Sequence, residues 1–225
     1  MIRFDNHAFK GLDESLKRLY ELLRAMGDGV GELMAMLPDA LETANADMFA
    51  TAKAIDKTIN TAEREVDATV AAMINKYTIM GEDLRFTLGA IKIAGTLERA
   101  ADRIKNCTKR LARVHHPLEP HVKTELAAAI DAVRAMVPLA LSQLLDYQPD
   151  TTHALLQHGS AVQRAYRAIV LQLHAHTSAA DDETHILLIA KNLEQAADMI
   201  VEIMKVSHYV HFAAKYEKSM AGASA

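Results

Sequence analysis

"LERAADRIKN", residues 97–106, sets Glu98, Asp102 and Asn106 four residues apart, and "LEQAADMIVE", residues 193–202, sets Glu194, Asp198 and Glu202 at the same offsets ninety-six positions later. The frame around the acids repeats as well. Ile93, Ala94, Leu97, Ala100, Ala101 and Ile104 correspond to Ile189, Ala190, Leu193, Ala196, Ala197 and Ile200. Apolar residues three and four apart make one face of a helix, so a helix with an acidic edge is written twice. Chance likeness between Ala- and Leu-rich helices explains the apolar matches but not the paired acids, and duplication of a helical unit is the economical reading.

Working outward, the chain reads as helices throughout. Leu12, Leu16, Leu19, Leu23, Met26, Val30, Leu33 and Leu37 alternate spacings of four and three, a heptad seam that predicts a long first helix. Gly27, Gly29 and Gly31 weaken its middle, and "LPDA" at 37–40 is expected to end it, with Pro38 near the start of the next helix. The second helix carries Leu41, Ala44, Met48, Ile55, Ile59, Ala62, Val66, Val70 and Met73 on one face and ends near Lys76. After a turn at "MGED", the third presents Leu84, Leu88, Ile91, Leu97, Ala101, Ile104 and Leu111. "HHPLEP" at 115–120 is the expected elbow. Beyond it lie a fourth helix to about Leu145, kinked at Pro138, a fifth over about 151–175, and a sixth opened by Asp181, Asp182 and Glu183. The fold class is therefore all-α: six long helices in two repeated three-helix bundles, residues 1–116 and 117–217, with a loose tail at 218–225.

Composition narrows the function. The 225 residues carry a formal charge of −4, which gives no basic excess for nucleic acid. The single cysteine, Cys107, allows neither an internal disulfide nor a cysteine zinc cluster. "MIRFDNHAFK" lacks the layout of a signal peptide, and no apolar run is expected to reach the length of a membrane span. The expected location is the cytosol.

The acids carry the chemistry. Glu98 and Asp102 lie one turn apart on one helix face, where like charges repel unless something neutralises them. A hard cation would do so through oxygen ligands, and the Asn106 carbonyl oxygen extends the row. The second helix supplies a facing stripe in "DKTINTAEREVD": Asp56, Asn60, Glu63 and Asp67. Gly95, three residues before Glu98, leaves room on the same face. The plain alternative is a solvated acidic face paired with neighbouring arginines such as Arg64, Arg99 and Arg103.

These residues resemble the PhoU family of phosphate-transport accessory and regulatory proteins. The resemblance rests on "DLR" at 83–85 with "IKIAGTLERAADRIKN", on "LLIAKNLEQAADMI", on the Asp56, Glu63 and Asp67 pattern, and on the N-terminal run Phe9, Leu12, Met26, Gly27, Val30 and Glu32. The E(D)xxxD motif stands here as Glu98–Asp102 and Glu194–Asp198, with Ala-Ala in each where the family has Ile-Gly. The resemblance implies two repeated three-helix bundles in a cytosolic protein, often a homodimer. It implies metal at the motif helices, with iron, zinc, manganese and magnesium all suited to such oxygen donors. It also implies negative regulation of the phosphate-starvation response, by coupling the ATPase subunit of the phosphate transporter to a sensor histidine kinase. The fifth helix departs from the pattern: Ala161, Gln163 and Ala165 stand where facing acids are needed. The metal set is therefore Asp56, Glu63, Asp67, Glu98, Asp102 and Asn106, with Glu194 and Asp198 the weaker half.

Other features rank below this. His174 and His176 fall on different helix faces, and His208 and His211, three apart, read as a helix-end surface pair rather than metal ligands. His115 and His116 belong to the elbow. Arg99, Arg103, Lys105, Lys109, Arg110 and Arg113 suit the C-terminus of the third helix, or a docking patch for an acidic partner. No nucleophile motif, glycine-rich phosphate loop or Glu-x-x-His appears. The competing function is a metal-dependent all-α phosphohydrolase using the same acids.

Overall fold

The computed structural model describes residues 10–43, 46–175 and 180–217. These form six helices: α1 (Lys10–Thr43), α2 (Ala46–Lys76), α3 (Gly81–Leu111), α4 (Pro120–Leu145), α5 (Pro149–Ala175) and α6 (Ala180–Phe212). No strand occurs among the described residues, as the sequence predicts.

The heptad seam of α1 is the best-kept expectation. All eight of its residues are buried, and Leu22, Met34 and Ala40 join them. The helix nevertheless outruns its expected end. Pro38 lies inside α1, which continues to Thr43, because Leu37 and Ala40 on either side are packed in the core and hold the last turns despite the lost backbone hydrogen bond. Leu41 therefore belongs to α1 rather than α2, while Ala44 and Phe9 fall outside the described residues. Gly27 has a packing use: a Cβ there would run into the Leu141 side chain of α4, so the missing side chain lets α1 and α4 approach. Pro138 likewise sits within an unbroken α4.

Helices α1, α2 and α3 pack on one another, as do α4, α5 and α6, and α3 against α6 is the most extensive helix pair of all. The repeated residues of both helices belong to the interior. Ile93, Ala94, Leu97, Ala100, Ala101 and Ile104 on α3, and Ile189, Ala190, Leu193, Ala196, Ala197 and Ile200 on α6, are all buried. Gly89 lets α3 and α6 approach closely, since a Cβ there would stand 2.9 Å from Val210. The core is one continuous cluster with members from all six helices.

The α3 face departs from expectation at its N-terminal end. Leu84, Leu88 and Ile91 are exposed at 37%, 42% and 38%, in a row with Met80. The buried face there is carried by Phe86 together with Thr87, Gly89 and Ala90, and the last three are small residues that apolar periodicity overlooks. Helix α4 is long and apolar enough to cross a membrane by length and composition, which corrects the expectation that no run reaches that length. Its apolar residues face the other helices: Val122, Leu126, Ile130, Val133, Met136, Val137 and Leu144 are buried in the core.

Candidate functional site

The groove between α2 and α3 brings together the acids of the first half. Asp56 is buried on α2, and Lys105, on the α3 face that carries Asp102, reaches across to it. The Lys105 ammonium lies 2.8 Å from an Asp56 carboxylate oxygen and 2.9 Å from one of Asp102. Two side-chain amides complete the arrangement, both donating: Asn60 Nδ2 to Asp56 at 3.4 Å, and Asn106 Nδ2 to Asp102 at 3.1 Å. Each amide sits one helical turn from its acid, which is what the four-residue spacing dictates.

One turn up, Glu63 reaches α3 at Gly95, where a Cβ would stand 3.4 Å from the Glu63 carboxylate. The room expected at Gly95 is there, and the α2 stripe faces the α3 stripe. Glu98 lies between them, half-buried. Its carboxyl is pushed above the ordinary glutamate value, first by burial and then by the negative charges of Glu63, Asp102 and Asp56, with Lys105 pulling the other way. The groove therefore holds four carboxylates from two helices around one lysine. Asp67, a turn beyond Glu63, is exposed. As they stand, no three His, Cys, Asp or Glu side chains among the described residues are gathered tightly enough to hold a metal ion.

Charge compensation follows the plain alternative in kind but not in residue. Arg64 Nε donates to the Asn60 carbonyl and Arg99 to the Thr96 hydroxyl, at 3.1 and 3.0 Å. Lys105, expected to belong to the basic helix end, supplies the neutralising charge. Its three-residue spacing from Asp102 is the signal that would have found it.

The second half lacks a facing acidic stripe, as the sequence predicts. Glu194 is bound by Lys191 of its own helix at 2.5 Å, and the Lys191 ammonium lies 5.3 Å from the ring of Tyr166 on α5. Ala165 is buried and Ala161 packs on the core. Asp198 is exposed, and Glu202 pairs with Lys205 at 3.0 Å. From α5, the ring of Tyr166 lies beside the lysine that pairs with Glu194.

The histidines serve structure. His208 is buried and its Nδ1 lies 3.0 Å from the Ala214 carbonyl; the Nε2 of His211 lies 3.1 and 3.2 Å from the last carbonyls of α4, at Gln143 and Leu144. They are thus not the surface pair expected, but members of an aromatic cluster with Tyr147, Phe212 and Tyr216. His174 Nδ1 meets the Val170 carbonyl at 2.7 Å, and His176 lies outside the described residues. The elbow is held by a contact the sequence did not reveal. Buried Asp182 accepts hydrogen bonds from the backbone N–H groups of His115 and His116, at 3.0 and 3.1 Å, and its carboxylate meets His116 Nδ1 at 2.7 Å. The His115 backbone bond is the first cause holding its carboxyl below the ordinary aspartate value.

Residues 23–111, spanning the α2–α3 groove, match the family model described as PhoU domain. Over these residues the chain is similar to the PhoU family. A phosphate-specific transport system accessory protein PhoU homolog from Rhizobium meliloti is 27% identical over 214 residues, covering 91% of this chain and 88% of that one. Another of the same description from Zymomonas mobilis is 27% identical over 212 residues, covering 92% and 88%. In fold, the chain is similar to the crystal structure of PhoU from Pseudomonas aeruginosa, with a TM-score of 0.81, 22% identity, and 90% and 99% of the two chains covered. It is also similar to the phosphate transport system regulatory protein PhoU from Streptococcus pneumoniae, with a TM-score of 0.76, 18% identity, and 96% and 100% covered. The PhoU match ends at Leu111, just before the elbow that Asp182 holds.

Proposed function

We propose that this chain is a non-catalytic accessory protein of phosphate transport, which restrains the phosphate-starvation response from the cytoplasm by linking the transporter's ATPase subunit to a sensor histidine kinase. The observation that carries the reading is likeness over about nine-tenths of the chain to relatives described as phosphate-specific transport system accessory proteins. The exposed apolar row of Met80, Leu84, Leu88 and Ile91 supports assembly with a second copy, since contiguous apolar surface on a helix favours burial against a partner. Deleting the gene tests the regulatory role. Phosphate-responsive genes should become active in phosphate-rich medium, and continued repression there would sink it. Pull-down with the ATPase subunit and the kinase tests the coupling.

The first-half groove is proposed as the cation-binding element. The donor set fits a hard metal ion: Asp56, Glu63, Glu98 and Asp102 are oxygen donors from two helices, and Gly95 leaves space beside Glu63. Asn60 and Asn106 would contribute after turning their amides. When bound, the metal would supply positive charge beside Glu98, whose carboxyl is pushed above the ordinary glutamate value by burial and then by the neighbouring acids. Elemental analysis of protein purified without chelator, comparing wild type with Glu98→Ala/Asp102→Ala, tests this. Equal metal content in both would remove it.

A further inference from the structure

The α2–α3 groove already contains a cation, and it belongs to the chain. Lys105 is anchored by two carboxylates from different helices, 2.8 Å from Asp56 and 2.9 Å from Asp102. Its side chain is 17% exposed and that of Asp56 10%, so this pair is shielded from the solvent that weakens surface ion pairs. The Asn60 and Asn106 amides turn their N–H groups, not their carbonyls, toward the same two carboxylates. All four groups are thus set for an ammonium between the helices. A metal ion bridging Asp56 and Asp102 would need the same oxygens, and two cations cannot share them without strong mutual repulsion. Above them Glu63 and Glu98 add two further carboxylates to the groove, with Glu63 lying 3.4 Å from where a Cβ on Gly95 would stand.

We propose that Lys105 is the resident counter-cation of this groove, and that a divalent cation enters only by displacing its ammonium from Asp56 and Asp102. Lys105 thereby sets the groove's metal affinity from within and keeps α2 and α3 together in the metal-free protein. The inference rests on the cation-binding reading of the groove.

The test measures Mn²⁺ binding by calorimetry on the full chain, and thermal melting in EDTA and in Mn²⁺, for wild type, Lys105→Met and Asp56→Asn/Lys105→Met. Lys105→Gln, which is closer in shape and polarity, replaces Lys105→Met if that variant does not fold. Lys105→Met should bind Mn²⁺ at least about tenfold more tightly than wild type. It should melt below wild type in EDTA and recover when Mn²⁺ is added, and the added Asp56→Asn change should remove the gain in affinity. Equal or weaker binding by Lys105→Met overturns the role of Lys105 while leaving the groove a cation site. Absence of Mn²⁺ binding by every variant overturns the cation reading and this inference with it.

Discussion

Lys105 of α3 and Asp56 of α2 face each other at 2.8 Å across the interface between the two helices. Their coupling is measurable by a double-mutant cycle. Asp56→Ala, Lys105→Ala and the double variant, unfolded in urea with chelator present, should show a coupling of about 1–2 kcal/mol, within the range for residues in direct contact. Asp56→Ala alone should be less harmful than loss of a fully buried ion-pair partner, because Asp102 still holds the lysine. A coupling near zero would mean that the contact adds nothing to stability.

Asp182 fastens the α3–α4 elbow to the start of α6. Asp182→Ala removes hydrogen bonds to a charged acceptor and should cost about 2 kcal/mol, a fall in melting temperature of roughly 4–8 °C for a chain of this size. The effect depends on pH with a definite sign. Because the folded carboxyl titrates below the ordinary value of 3.8, its contribution is fully present above that value and is lost as pH falls through the lower, folded one. The difference in melting temperature between wild type and Asp182→Asn should therefore be constant near neutrality and shrink below about pH 4. A difference that persists undiminished in acid would show that the clasp does not depend on the charge.

The α3–α6 seam leaves no room for larger side chains. Ala101 is fully buried there, and Ala101→Leu should destabilise by about 1–3 kcal/mol through overpacking. Since the core runs through both halves without a break, the loss should appear as an earlier but still single transition, followed by helical circular dichroism. Two separated transitions in the wild type would contradict a shared core.

Leu88 is exposed at 42% on the apolar row of α3. Leu88→Glu should leave the melting temperature of the isolated chain within the range of ordinary surface changes, about ±0.5 kcal/mol. It should shift the sedimentation profile toward monomer. An unchanged profile would remove this row from any self-association.

Much of this was legible because helices expose their periodicity. The α1 seam reads directly from eight apolar residues at heptad spacing, and all eight are buried. The facing acidic stripes read from four-residue spacing, and Gly95 marked where Glu63 comes close. Other features were hidden for physical reasons. Leu84, Leu88 and Ile91 look like core by hydropathy, whereas the buried face is made of Thr87, Gly89 and Ala90, whose small side chains carry little apolar signal. Pro38 looks like a stop, but packing on both sides outweighs one missing hydrogen bond. Lys105 and Asp182 also act on residues 49 and 66–67 positions away; the spacing of Lys105 from Asp102 marks its local partner, but no local pattern reports the distant ones.

The seam of buried alanines gives α3 and α6 a second office. Each helix presents its acids on one side and its share of the common spine on the other, so the two halves lean on a single rigid partition. A close-packed partition has few intermediate positions. If a cation or a bound protein draws α3 toward α2, α6 must follow it or the spine must open. What happens in the acidic groove is then reported, mechanically, to the half of the molecule whose ladder faces Tyr166 instead of acids.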